Sequence, residues 1–106
     1  MEMSEIYNQR QYQRIIEAIE AYEHKRIRLA QLISDLEALV ESLENISYEW
    51  RSLLLSQWGM LEDVYAYTLD EGRTDLEEED ISLISQALAE LKELVKLQIE
   101  EANACI

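Results

Sequence analysis

Large apolar side chains return every three or four positions along almost the whole chain, the period of an α-helix with one face against a core. Tyr12, Ile15, Ile16, Ile19 and Tyr22 form one stripe, which predicts a helix from about Ser4 to His24. Leu29, Leu32, Ile33, Leu36, Leu39, Val40 and Leu43 keep the rhythm without a gap and predict a second helix from Arg28 to Glu44. A third is predicted from Tyr48 to Glu71, with Ser47 as N-cap, Glu49 in the first turn and Gly72 at C′. The fourth starts after Thr74 and runs to about Ala102 on Ile81, Ile84, Leu88, Leu91 and Val95. "TDLE" at Thr74–Glu77 has the form of a capping box for that helix.

Between the first two helices, "EHKRIR" (Glu23 to Arg28) contains neither glycine nor proline, yet the phase of the apolar stripe shifts there. A break is expected, because one continuous helix would leave its apolar face uncovered by the two that remain. The architecture that buries four such stripes is an all-α antiparallel four-helix bundle with short loops, as a single domain over residues 1–106. A three-helix arrangement, or a dimer that completes the bundle between chains, is the alternative.

Composition sharpens this picture. The chain has no proline, no phenylalanine and two glycines, too little punctuation for strands and tight turns. At 48% hydrophobic it is too apolar for a disordered polyelectrolyte. The polar start "MEMSEIYNQRQYQR" shows no signal peptide, and no apolar run approaches the ~20 residues that cross a bilayer. With Cys105 the single cysteine, no intrachain disulfide can form. A cytoplasmic location is expected.

Charge changes the picture more. Of a net −14, residues 1–28 carry five acids and five bases, and residues 81–106 four acids and two bases. Residues 29–80 carry fourteen acids against Arg51 and Arg73, a net −12. A field of this sign repels nucleic acid and anionic membranes and attracts basic partners; it also serves solubility.

Catalytic and metal chemistry finds little support. His24, the only histidine, lies between Glu23 and Lys25 near a predicted helix end, and nothing pairs it with a nucleophile. The Glu-x-x-His motif of di-iron bundles is absent, since Ala21 stands three residues before His24. "DEGRTDLEEED" lacks the alternating ligands and central glycine of a calcium loop. No glycine-rich phosphate loop occurs. The residues argue against an enzyme, and no cofactor or metal is expected.

The third helix divides most sharply. At about 100° per residue, Trp50, Leu53, Leu54, Leu61, Val64, Tyr65 and Thr68 fall on one side, the expected core face. Ser52, Ser56, Gly59, Asp63, Ala66 and Asp70 fall on the other, edged by Trp58, Glu62 and Leu69 and by Met60 and Tyr67. A glycine inside a helix costs roughly 1 kcal/mol relative to alanine, so Gly59 needs a reason. Either a second helix crosses closely over it, or the small face is a groove rimmed by Trp58, Met60 and Tyr67 and carrying Glu62, Asp63 and Asp70. Aromatic anchors beside unpaired acids suit a basic protein partner. Asp35, Glu37, Glu41 and Glu44 on the second helix extend the acidic side, with no base between Leu29 and Trp50. The candidate partner-binding residues are therefore Asp35, Glu41, Trp58, Gly59, Glu62, Asp63, Tyr67 and Asp70.

"LAQLISDLEALVESL", then "EWRSLLLSQWGMLEDVYAYTLDEG", then "LEEEDISLISQALAELKELV" resemble a group of small acidic helical bacterial proteins regarded as immunity-type proteins, which accompany secreted or contact-delivered toxins. The likeness covers roughly Ile19 to Val95 and is most specific at Leu32–Glu37 and Trp58–Ala66. Where that group has a turn such as Asn-Gly before the second helix, this chain reads "HKR" at His24–Arg26. The chain is also similar in style to the acidic four-helix immunity proteins of nuclease colicins. It lacks their paired tyrosines followed by proline, so no binding residue carries over. The resemblance implies a protein that binds and neutralises a cognate toxin, plausibly a basic nuclease, acting as monomer or homodimer. The competing expectation is a structural or adaptor bundle, as monomer or as a homodimer joined through the small-residue face of the third helix.

Overall fold

The computed structural model describes residues 3–72 and 75–104, with side chains for 3–72 and 75–101. Four helices follow one another: α1 (Met3–Glu23), α2 (Leu29–Glu41), α3 (Tyr48–Asp70) and α4 (Glu78–Ala104). Each packs against its sequence neighbours around the ring, α4 closes on α1, and the backbones of the diagonal pairs stay apart. This is the expected antiparallel four-helix bundle, 48 Å long. Among the described residues, no helix is long and apolar enough to cross a membrane.

Most of the predicted stripes become the core. Ile15, Ile19, Leu32, Leu36, Val40, Leu54, Leu61, Leu88, Leu91 and Val95 are fully buried, each contributing roughly 1.5–3 kcal/mol over an exposed position. Two expected core residues fall outside it: Leu53 is 51% exposed and Ile81 52% exposed. Leu53 sits about 70° from the centre of the Leu54–Leu61–Val64–Thr68 stripe, past the edge that α4 covers. Ala87, small enough to be passed over in the pattern, is buried in α4.

The α1–α2 break has a specific cause. Lys25 N–H donates to Tyr22 O at 2.9 Å and Arg26 N–H to Ala21 O at 2.8 Å, a Schellman pair that stops α1. The C′ residue of that motif is Lys25 at φ 63°, a left-handed conformation that favours glycine. His24 Nδ1 donates to Glu20 O at 2.9 Å, so the lone imidazole helps close the same helix end.

The other ends show where pattern reading stops. Helix α2 ends at Glu41, short of the predicted Glu44: Ser42 Oγ donates to Leu39 O at 2.6 Å, and Asn45 turns the chain at φ 53°. Buried Asn8 then clamps the α2–α3 connection, donating Nδ2–H to Glu44 O at 2.7 Å and accepting Glu44 N–H at 2.9 Å. Ser47 caps α3 as expected, accepting Trp50 N–H at 3.0 Å, and Gly72 takes φ 68° past its other end. The expected capping box at Thr74–Glu77 is displaced. Ile81 N–H bonds Glu77 O at 3.0 Å, and Asp80 Oδ2 accepts Glu77 N–H at 3.0 Å, so the cap is Glu77 with Asp80 reaching back. That role explains why Asp80 alone in the acidic run is buried; Thr74 lies outside the described residues.

Side-chain polar contacts also join helices. Trp50 Nε1–H donates to Tyr12 Oη at 2.9 Å, with the rings edge-on at 6.3 Å. Burial pushes the Tyr12 phenol pKa up and the Trp50 N–H pulls it partway back; burial also raises Tyr22. Lys92 Nζ bonds Glu23 Oε1 at 2.8 Å, linking α4 to the end of α1.

Candidate partner-binding surface

The eight candidate residues occupy α2 and α3, and the packing of α3 sorts them into separate groups. One edge of α3 is turned to α2 and consumed by it. Trp58 is half-buried and its Nε1–H donates to Ile33 O at 2.8 Å. It is therefore packed against the core, not standing as a free rim anchor. Arg51, about two turns earlier, donates Nη1–H to Val40 O at 3.1 Å and Nη2–H to Leu43 O at 3.2 Å. The guanidinium thus sits at the C-terminal end of α2, where Val40 O also accepts Leu43 N–H at 3.2 Å, and it meets the negative end of the helix dipole.

The outward face of α3 carries Gly59, Asp63 and Asp70. A Cβ built at Gly59 meets nothing within 4 Å. The structure thereby rejects the expectation of a close helix crossing: α3 borders α2 and α4 along its flanks, and no helix lies over this face. Asp63 and Asp70 are exposed beside it, two turns apart, about 10 Å along the axis. Glu62 is exposed on the α2 side of the same face. On α2, Glu37 and Glu41 are exposed on the side toward α3, continuing this acidic front, whereas Asp35 is half-buried and lies in phase on the α1 side. Asp35 thus stands apart from the other candidates.

Arg51 is turned inward by its bonds to α2, so from Leu29 to Gly72 the outward charges are carboxylates: Glu37, Glu41, Glu44, Glu49, Glu62, Asp63, Asp70 and Glu71 are all exposed.

The remaining edge of α3, toward α4, carries the expected rim residues Met60 and Tyr67 and adds Leu53 to them. Leu53, Met60 and Tyr67, spaced by seven, are 51%, 38% and 56% exposed. They share a line along α3 because seven residues fall within about 20° of two full turns. Only Tyr67 was a candidate. The sequence pattern puts Leu53 in the core because its phase borders it; the spacing of seven does not separate it from Leu54, Leu61 and Thr68, which share that spacing and are buried. Among the described residues, no group of three or more His, Cys, Asp or Glu side chains is placed to hold a metal ion.

No protein-family model, no curated protein and no solved structure matches the chain.

Proposed function

We propose that the protein is an immunity-type inhibitor, a helical bundle that binds and neutralises a cognate bacterial toxin in the cytoplasm through its acidic surface. The observation that supports this reading is the one-signed outer surface of α2 and α3. The segment 29–80 holds fourteen acids against two bases, and one of those bases, Arg51, is committed to backbone carbonyls of α2. Unrelieved like charges weaken helices by tenths of a kcal/mol for each pair, a cost that a basic partner converts into attraction. A nuclease must be basic where it grips phosphates. Its inhibitor must reach it before nucleic acid does, and an acidic front raises association rates for that encounter. Such an inhibitor acts by occupying a surface and needs no chemistry of its own.

The test is co-expression with the product of the adjacent upstream reading frame. Cells expressing that product alone are expected to stop growing, and cells that also express this protein are expected to survive and yield a stoichiometric complex. Equal killing with and without this protein contradicts the proposal.

A further inference from the structure

Among the described residues, half of the large apolar side chains standing at the surface gather in one place. Of ten such residues, Leu53, Met60 and Tyr67 lie on the α4 edge of α3, and Leu83 and Leu97 lie on α4. Helical phase puts Leu83 and Leu97 on the α3 side of α4, because Lys92, about 140° away from Leu97, points to α1 through its bond to Glu23. The antiparallel register set by the 71–77 connection brings Tyr67 level with Leu83 and Leu53 level with Leu97, to within about one turn. The five residues therefore run as a strip along the α3–α4 seam, about 21 Å from Leu53 to Tyr67. Contiguous exposed apolar surface of this kind marks an interaction site more often than scattered single residues do.

The charges beside the strip select its occupant. Exposed Glu49, Asp63 and Asp70 flank it on α3, and exposed Glu79, Glu90 and Glu93 on α4. The base closest in phase, Lys96, stands about 100° round α4 from Leu97. A second copy docking by two-fold symmetry would set these acids against themselves. We infer that the α3–α4 seam seats an amphipathic helix of a partner protein, with its apolar stripe on Leu53, Met60, Tyr67, Leu83 and Leu97 and its flanking lysines or arginines on the surrounding carboxylates. The strip's length matches roughly four turns of such a helix. The inference rests on the partner-binding reading for the identity of the partner, and it separates two roles. The acids of α2 and α3 steer at a distance, and the apolar strip holds the partner once it arrives.

The probe is a synthetic leucine–lysine amphipathic helical peptide of about 18 residues, titrated calorimetrically and by amide chemical shifts. Three chains are compared: wild type, the neutral triple variant Leu53→Ser, Met60→Ser, Tyr67→Ser, and the control Glu37→Gln, Glu41→Gln, Glu62→Gln. The expected result is shifts confined to 53–67 and 83–97, a roughly 10- to 100-fold weaker affinity for the triple variant at unchanged charge, and a change of only about a few-fold for the control. If the triple variant loosens the fold, Tyr67→Ser alone carries the test. Equal affinity of wild type and the serine variant, with shifts spread over Glu37, Glu41 and Glu62, overturns the inference in favour of capture by charge. A concentration-dependent dimer of the wild type that the triple variant abolishes overturns it in favour of a second copy. Toxin neutralised equally well by the serine variant sinks the seam assignment and leaves the inhibitor reading standing. Peptide seated on the seam without any neutralisation does the reverse.

Discussion

Trp58 and Leu53 stand about equally far, roughly 70°, from the centre of the buried stripe of α3, on opposite sides. Trp58 is half-buried with its indole N–H on Ile33 O, while Leu53 is 51% exposed. The difference comes from what each neighbouring helix offers. Helix α2 presents carbonyls at its end and apolar flanks at Ile33 and Leu39, and α3 answers with Arg51, Leu55 and Trp58. Helix α4 buries Ala87, Leu91 and Val95 in the core, while Leu53, Met60 and Tyr67 stay exposed along the other edge of α3. One helix therefore has a flank packed into the fold and a flank whose apolar edge remains exposed.

Substitutions on the two flanks sharpen this contrast. Trp58→Ala removes a large packed side chain and its indole hydrogen bond to Ile33 O, so chemical denaturation is expected to show a loss of about 3 kcal/mol. Tyr67→Ala, at 56% exposure, is expected to stay within about 0.5 kcal/mol of wild type. Similar losses at both positions would dissolve the distinction. Arg51→Met keeps the stem and deletes the donors over Val40 O and Leu43 O; a loss of about 1–2 kcal/mol is expected, measured the same way.

Smaller effects probe positions where the backbone sets the outcome. Lys25→Gly relieves a left-handed lysine and is expected to raise stability by about 1 kcal/mol. Gly59→Ala, with open space around the new methyl, is expected to add up to about 1 kcal/mol. A lower melting temperature for Gly59→Ala would revive a close packing partner on that face. The weakest effect is alkaline. Burial raises the Tyr22 pKa above its model-compound value of 10.0, so the folded state holds that proton more tightly than the unfolded chain. The associated stability is complete below about pH 10 and falls as pH rises through the folded-state value. Melts in that range are expected to decline less steeply for Tyr22→Phe.

The helix count, the four stripes, the Ser47 cap and the Gly72 stop were all legible, because they depend on local spacing and local capping chemistry. The α1–α2 break was legible only as a phase shift. Nothing in "HKR" announces a Schellman motif, since Lys25 takes a conformation that residue type does not favour. The cap of α4 was hidden for a related reason: glutamate is not a residue type that marks an N-cap, and only the Glu77 N–H to Asp80 Oδ2 bond identifies Glu77 as one. The acidic front was visible from charge counting. The fate of the helix edges was not, because the same phase suits burial or exposure until the neighbour is known. That is why Trp58 was expected at the surface and Leu53 in the core.

Under the proposed function, the acids on the outer side of α3 draw in a basic partner. The direct measurement is the association rate with the product of the adjacent upstream reading frame, at low and high salt, for wild type and for Asp63→Lys with Asp70→Lys. The predicted result is a wild-type rate that falls steeply as salt rises, and a variant that folds normally but associates about tenfold or more slowly at low salt. Equal rates for the two proteins at low salt would contradict it.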